Sequence, residues 1–342
     1  MNIKNSPSQL DISILILSWN SAPYLPRCLT SLSSQTHANF EVILMDNGSE
    51  DGTLNELHEK YPSLDLHIHR LNSNLGFAAA NNIGARLARG HWLALLNADA
   101  FPEPDWLEQL LSAAQMNPEF TFFSSRQVQF NHPELLDGAG DEYHVSGLAW
   151  RRYYNHTGKE YGTKTEEVFG ACAAAALYLR DDFLKVDGFD EDYFSYFEDV
   201  DLSFRLRLAG GRCLYVPDAV VQHVGSASAG KMSDFVIYHG HRNLVWAYFK
   251  NMPSLLFWSY LPLHVLMNIY FVCSFAYKGK GNAIVTAKVD AIRGLPLILN
   301  KRRMTQKSRI VSISNIYRIM NKGLFSPYWA SRQRELLASK KT

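Results

Sequence analysis

The sequence predicts an α/β protein: a doubly wound, mostly parallel sheet followed by a C-terminal helical segment that associates with membranes. Apolar runs of strand length alternate with helical patterns through the first hundred residues, and repeated units of that kind fold as a right-handed parallel sheet. Each run ends in a polar loop, which lines the carboxyl edge of the sheet, where open α/β sheets take their ligands. Charge is divided along the chain. From Lys278 to Thr342 fifteen Lys and Arg face only Asp290 and Glu335, a balance of +13, which leaves −12 for the rest of a chain whose formal total is +1.

A chain of 342 residues has material for one large or two smaller domains. Its 47% hydrophobic and 20% charged residues are those of a globular protein, which sets disorder aside. Cys28, Cys172, Cys213 and Cys273 match neither a zinc nor a thioredoxin spacing, and reduced thiols are the plain reading. Met1 to Gln9 have no basic start and no apolar core, so no signal peptide is expected.

Taken in order, Ile12 to Leu17 reads as a buried strand, Tyr24 to Leu32 as a helix, Phe40 to Met45 as a second strand and Leu54 to Lys60 as a second helix. Leu66 to His69 is a short third strand, Ala78 to Arg89 a third helix, and Trp92 to Leu96 a strand buried on both faces. Ser18-Trp19-Asn20-Ser21 follows the first strand, Asp46 to Gly52 the second, and Asn72 to Phe77 the third. Asp46 ends its strand as a carboxylate able to accept from a base or ribose, and Gly48 and Gly52 allow a tight turn or a close ligand. Turn chemistry explains any one of these loops; three on one edge point to a site. Asn97 and Asp99, alternate residues past the last strand, suit a hard divalent cation, while Asp99 also fits a helix cap before Pro102 and Pro104. No Gly-x-Gly-x-x-Gly follows the first strand and no P-loop occurs, which argues against a dinucleotide oxidoreductase and a P-loop ATPase.

In the middle of the chain, Phe122 to Phe130 is strand-like, and the long loop from Tyr143 to Thr165 has the character of an acceptor-binding segment. The small residues from Gly170 and Ala171 to Ala176 admit either a sugar ring or close packing. In Phe197-Glu198-Asp199-Val200-Asp201 a helix begins near Asp199, because Leu202, Leu206 and Ala209 recur at helical spacing while Arg205 and Arg207 face elsewhere. Acidic residues in a first turn also answer the helix dipole. His223, just past a strand, fits either a structural histidine or a ligand.

The set Ser18-Trp19-Asn20, Asp46-Asn47-Gly48-Ser49 with Asp51-Gly52, Asn74-Leu75-Gly76-Phe77-Ala78 with Asn81-Asn82, Leu96-Asn97-Ala98-Asp99, and Phe197 to Asp201 with Arg205 resembles glycosyltransferase family 2 of the GT-A fold, in particular its bacterial rhamnosyltransferase-like members. The match runs in the family's order from about residue 12 to about residue 250. It implies that Ser18, Asn20, Asp46 and Asp51 hold the nucleoside of a nucleotide sugar, Asn81 or Asn82 the sugar-phosphate, and Asp99 with His223 a Mg2+ or Mn2+ ion. Asn47, Gly48, Asn74, Gly76, Phe77 and Asn97 belong to the same nucleotide-sugar site. Asp199 is then the base and Glu198 its partner in placing the acceptor, with Gly170, Ala171, Asp201 and Arg205 on the acceptor side and Asp201 paired to Arg205. The family's Asp-x-Asp is here Asn97-Ala98-Asp99, a departure at the first position.

The expected organisation is a GT-A domain over residues 1–250, its nucleotide-sugar half about 12–100 and its acceptor half about 101–250, then an apolar helical segment and basic tail over 251–342. The expected function is inverting, metal-dependent hexosyl transfer, with rhamnose the sugar the resemblance suggests, to a glycan or lipid-linked acceptor in cell-surface polysaccharide synthesis. The basic tail suits a polyanion, and the apolar stretch before it favours an anionic membrane at the cytoplasmic face over nucleic acid. Leu255 to Tyr277, 23 residues, reaches the span minimum of about 20. It contains Pro262, His264 and Asn268, so a buried or interfacial hairpin broken at Pro262 is expected rather than a span. A nucleotidyltransferase would want a Gly-rich basic loop after the first strand. A non-catalytic polyanion binder would account only for the tail.

Overall fold

The computed structural model describes residues 10–225 and 233–326. Met1 to Gln9 and the basic residues Arg332, Arg334, Lys340 and Lys341 lie outside them. The first half runs β1 (Ile12–Ser18), α1 (Leu25–Ser33), β2 (Phe40–Asp46), α2 (Leu57–Lys60), β3 (Leu66–Arg70), α3 (Gly76–Leu87) and β4 (Trp92–Asn97). Next come β5 (Ala100–Pro102), α4 (Trp106–Met116), β6 (Phe122–Gln129), β7 (His132–Ala139), β8 (Asp141–Tyr143), β9 (Ala149–Arg151), β10 (Glu166–Val168), β11 (Ala175–Leu179), α5 (Arg180–Lys185), α6 (Glu198–Leu208) and β12 (Cys213–His223). Five helices close the described chain: α7 (Asp234–Asn251), α8 (Ser254–Tyr277), α9 (Gly281–Arg293), α10 (Leu295–Lys307) and α11 (Ile313–Ile319).

Ten strands form one sheet with the path β10-β12-β6-β11-β4-β1-β2-β3, β5 joining β12 and β7 joining β6. β1 to β4 are parallel neighbours, and β11 runs antiparallel between β4 and β6. In this register Ser18 stands beside Asp46 and Leu17 beside Asn97, so the polar loops after β1, β2 and β4 meet at one edge. One face of the sheet is covered by α1 and α4, through Leu25, Leu29, Trp106 and Leu110. The other is covered by α3, α5 and α6, through Ala78, Phe183, Leu202 and Leu206.

Three expectations change. The second helix is a single turn, because Gly52 at φ +75° and Glu56 at φ +58° hold the preceding residues out of helical geometry. The segment from Tyr143 to Thr165 is not all loop, since Ala149–Arg151 turns back at Gly147 (φ +90°) to pair with Asp141–Tyr143. The hairpin at Pro262 is absent: α8 is one unbroken helix. A proline there removes the hydrogen bond to the Trp258 carbonyl, while Phe257 before it packs tilted against Tyr248 of α7 and His264 after it stacks on the same ring, which holds the two halves in line.

α6 is buried on every side, Arg205 and Arg207 included, rather than presenting its arginines outward. Leu202 and Leu206 meet the sheet, while Val200, Phe204 and Leu208 share a second core with Tyr248, Leu256, Phe257 and Ile316 of the C-terminal helices. Two covered faces leave the arginines no route to water. Arg207 therefore donates to the Val168 and Phe169 carbonyls and pairs with Glu167, as an enclosed charge must.

Candidate active site

The loops after β1, β2 and β3 are zipped together by the polar groups that mark them in the sequence. The Asn20 amide donates to Ser49 Oγ at 2.9 Å and its side-chain oxygen accepts from the Glu50 amide at 2.9 Å. Asp46 accepts from the Ser49 amide at 3.2 Å, and Asp51 from the amides of Ala22 at 2.9 Å and Thr53 at 3.0 Å. Asn47 donates to Asn74 Oδ1 at 2.8 Å and accepts from the Leu75 amide at 2.9 Å. Gly48, at φ +79°, has no room for a Cβ against the Ser73 backbone. Ser18 is fully buried, and its hydroxyl has no partner within the protein. The loops thus form a stiff rim, with Trp19 40% exposed upon it.

The start of α3 differs from expectation. The amides of Phe77 and Ala78 both donate to the Phe194 carbonyl, at 2.7 and 3.3 Å, and a Cβ on Gly76 would strike Phe194. Asn81 turns back to the Phe77 carbonyl at 2.9 Å. Asn82 is engaged on both ends, donating to the Phe189 carbonyl at 2.8 Å and accepting from its amide at 2.8 Å. Asn82 is therefore a clamp between α3 and the chain leading to α6, and both asparagines have their amide nitrogens bonded within the protein. The orphan amides of α3 are met by a carbonyl instead.

At the end of β4 the geometry converges on Asp99. The side chain of Asp99 is 15% exposed, and its Oδ1 lies 3.4 Å from Nε2 of His223, at the end of β12. The other ring nitrogen, Nδ1, lies 2.7 Å from Oδ2 of Asp137 on β7, and Arg151 at the end of β9 pairs with the same carboxylate. Burial disfavours an imidazolium, but Asp137 and Asp99 push the His223 pKa up to about 9. Burial raises Asp99 and His223 outweighs it, so the carboxylate is held below its usual range. His223 Nε2 is buried and faces Asp99 at ion-pair distance, outside hydrogen-bond geometry. A carboxylate and a buried ring nitrogen at one point, with a second carboxylate fixing the ring, is a donor set that fits a divalent cation. Asn97 stands at the same edge, its amide bonded to the Ala174 carbonyl at 2.9 Å.

The other acidic group of this kind, Glu41, Asp65 and His67, lies at the starts of β2 and β3, on the opposite edge. Arg89 pairs with both carboxylates, at 2.6 and 3.0 Å, so this group already has its cation.

Glu198 and Asp199 open α6 after an unusual stretch in which Phe194, Tyr196 and Phe197 all have positive φ, 62°, 68° and 70°. Non-glycine residues persist there only when their surroundings force them. Asn243 of α7, wholly buried, supplies that force by donating to the carbonyls of Tyr193, Ser195 and Tyr196 at 3.0, 3.0 and 2.7 Å. Asp199 accepts from the amides of Val200 at 2.8 Å and Ala173 at 3.4 Å. Glu198 is buried, with one carboxyl oxygen unpartnered. Burial and the neighbouring Asp199 charge push Glu198 well above the usual carboxylate range. Burial raises Asp199 too, while the two amides and Arg151 pull it back. Asp199 is thus the member of the pair whose carboxylate is met by amide donors and a neighbouring cation, the groups that favour its charged form.

Two acceptor-side expectations are corrected. Asp201 and Arg205 do pair, at 2.7 Å, but Asp201 is fully buried and also takes Lys250 at 3.0 Å and Asn251 at 2.7 Å. Burial opposes its ionisation, and Arg205 and Lys250 overcome that and hold it far below the usual range. Both support α6 from behind. Gly170 and Ala171 are buried as well, and a Cβ on Gly170 would meet the Ser203 side chain at 2.6 Å, so the small residues serve close packing. The sequence reading missed Asp137, Arg151, Asn243 and Lys250 as site residues. The available signal was Asp137 beside Gly138, whose missing side chain leaves room for Arg151.

The family model described as Glycosyl transferase family 2 matches residues 13–186. The chain is 32% identical over 247 residues to an N-acetylglucosaminyl-diphospho-decaprenol L-rhamnosyltransferase of Mycobacterium tuberculosis, covering 64% of this chain and 78% of that protein. Among solved structures, the mannosyltransferase PcManGT from Pyrobaculum calidifontis in complex with GDP-Man and Mn2+ superposes with a TM-score of 0.54 at 16% identity, over 87% of this chain and 85% of that one. TarS 1–349 of S. aureus in complex with UDP-GlcNAc gives 0.54 at 17% identity, over 87% and 91%. The shared architecture is the GT-A fold.

Proposed function

Because the chain belongs to glycosyl transferase family 2 and is a nucleotide-sugar glycosyltransferase, we propose that it transfers a sugar, rhamnose by likeness to the mycobacterial relative, with inversion to a hydroxyl of a lipid-linked or glycan acceptor in cell-surface polysaccharide synthesis. The observation that carries this is the pairing at one sheet edge of an ion-binding donor set, Asp99 and His223, with a carboxylate pair, Glu198 and Asp199, brought there by the bonds of Ala173 to Asp199 and of Asn97 to Ala174.

In this reading the rim formed by Ser18, Asn20, Asp46 and Asp51 receives the nucleoside, and Asp99 and His223 would hold a divalent cation, Mg2+ or Mn2+. When bound, the cation offsets the charge that builds on the diphosphate as the glycosidic bond breaks. Asp199 takes the proton of the acceptor hydroxyl as that oxygen attacks the anomeric carbon from the face opposite the leaving group. A new C–O bond forms, the donor's C–O bond breaks, and the nucleoside diphosphate leaves with the electron pair. Glu198, kept protonated by burial and by its neighbour, is a donor toward the acceptor rather than a second base. The relative's name carries a lipid-linked sugar, N-acetylglucosaminyl-diphospho-decaprenol, which supports a lipid-linked acceptor here; in this reading the reaction runs at the cytoplasmic face of a membrane.

The test is a panel of nucleoside diphosphate sugars scored for Mn2+-dependent thermal stabilisation, then for transfer to an N-acetylglucosaminyl diphospholipid, with product configuration read by NMR. A rhamnose donor should stabilise most and give the inverted linkage. Stabilisation by no nucleotide sugar, or retention of configuration, would overturn the proposal.

A further inference from the structure

The largest apolar exposure in the described molecule lies at its C-terminal end. On α8, Leu255, Trp258, Leu266, Ile269, Tyr270 and Tyr277 are each more than half exposed, at spacings that place them on one helix face. Val285, Val289 and Ile292 extend the surface onto α9, which packs along α8. Contiguous exposure of this kind marks an interaction surface.

The opposite face of α8 makes contacts with the rest of the chain along its length, although only Leu256, Phe257 and His264 are buried. Tyr248 donates to the Phe257 carbonyl at 2.7 Å, and the Tyr260 and Tyr317 hydroxyls meet at 2.9 Å. His264 stacks on Tyr248 with ring centroids 4.0 Å apart, and its Nδ1 donates to the Ser146 carbonyl at 2.7 Å. Phe271 and Phe275 close on His241. These contacts run along nearly the whole helix, so α8 could cross a bilayer only by abandoning all of them and carrying His264 and Asn268 into hydrocarbon. Charge points to the same partner. Lys278 at the end of α8, Arg293 at the end of α9 and Arg303 and Lys307 on α10 are exposed, and Asp290, which pairs with Arg293, is the single carboxylate between Lys278 and Ser326.

We infer that α8 and α9 lie flat on one leaflet of an anionic phospholipid membrane, with the outer face of α8 in the headgroup–acyl boundary and the neighbouring basic side chains on the headgroups. The contacts that hold α8 in this pose also reach the site. Ser146 sits in the turn between β8 and β9, and β9 ends in Arg151, paired to Asp137. Such docking would confine the enzyme and a lipid-borne acceptor to one surface. That last step rests on the lipid-linked acceptor proposed above; the lipid test needs no substrate, so the two can fail separately.

Among the four cysteines only Cys273 is exposed, which allows the full-length protein to be labelled on α8 as it stands. Nitroxide labels at Cys273, and at Trp258→Cys or Leu266→Cys in a Cys273→Ser background, are measured for depth on phosphatidylcholine vesicles with and without phosphatidylglycerol. Binding should require phosphatidylglycerol, and all three labels should sit at one shallow depth. A spanning helix would instead put Leu266→Cys deepest, with the labels at 258 and 273 about 22 Å apart along the normal. The double variant Leu266→Glu, Ile269→Glu should keep its melting temperature and lose at least tenfold in vesicle flotation. A spanning depth profile, no binding to anionic vesicles, unchanged flotation of the double variant, or self-association in place of vesicle binding would each overturn the inference.

Discussion

His223 Nδ1 lies 2.7 Å from Asp137 Oδ2, so the ring is oriented by a residue 86 positions earlier and presents Nε2 toward Asp99. Outer-shell carboxylates of this kind fix the tautomer of a ligating histidine, and their loss costs about 10- to 100-fold in metal affinity. Asp137→Asn should weaken Mn2+-dependent binding of a nucleoside diphosphate by about that factor. Asp99→Ala should abolish the metal dependence altogether with the fold intact. Calorimetric titration of the diphosphate with and without Mn2+ reads both. Undiminished coupling in Asp99→Ala would remove it as the principal ligand.

Burial raises the Asp199 carboxyl, and the amides of Val200 and Ala173 and then the Arg151 charge oppose it. A base with a raised pKa is inactive when protonated, so turnover should rise with pH along an acid limb displaced above the ordinary aspartate value of about 3.9. Arg151→Gln removes the opposing charge, and the limb should move to higher pH. A pH profile of kcat for the two proteins decides this, and an unmoved limb would show that Arg151 does not act on the base.

Lys250 joins Asp201 of α6 to Asp190, and Lys301 of α10 binds Asp190 in turn. Removing one member of a buried ion-pair network leaves charges uncompensated, at a cost of about 3–5 kcal/mol. Lys250→Met should lose stability on that scale in urea unfolding. Because Asp201 is held below its unfolded value, the wild-type network contributes most above about pH 4 and fades as acid protonates the carboxylate. A loss under about 1 kcal/mol would mean that water reaches the network.

Much of the fold was legible because its signals are local. Ile12–Ser18, Phe40–Asp46 and Trp92–Asn97 are runs of buried residues closed by polar loops, and their parallel register brings Asp46 and the approach to Asp99 together. What a polar side chain does in such a loop was not legible. Asn82 looks like Asn20 in sequence, yet its partners are Phe189 and Glu191, more than a hundred residues away. Asp201 reads as an acceptor-side residue paired to Arg205, but α7, whose own sequence carries no catalytic pattern, places Lys250 and Asn251 on it as well. Pro262 read as a break because a local rule was applied to a helix held straight by Tyr248.

The central claim is that Asp199 accepts the acceptor's proton, and Asp199→Asn tests it most directly, since it keeps size and hydrogen bonding but has no basic oxygen at neutral pH. Single-turnover transfer with saturating donor and Mn2+ should fall by about 100-fold or more, while donor affinity measured on the same sample stays within about twofold of wild type. Near-normal turnover in this variant would contradict the account and move the base to another carboxylate.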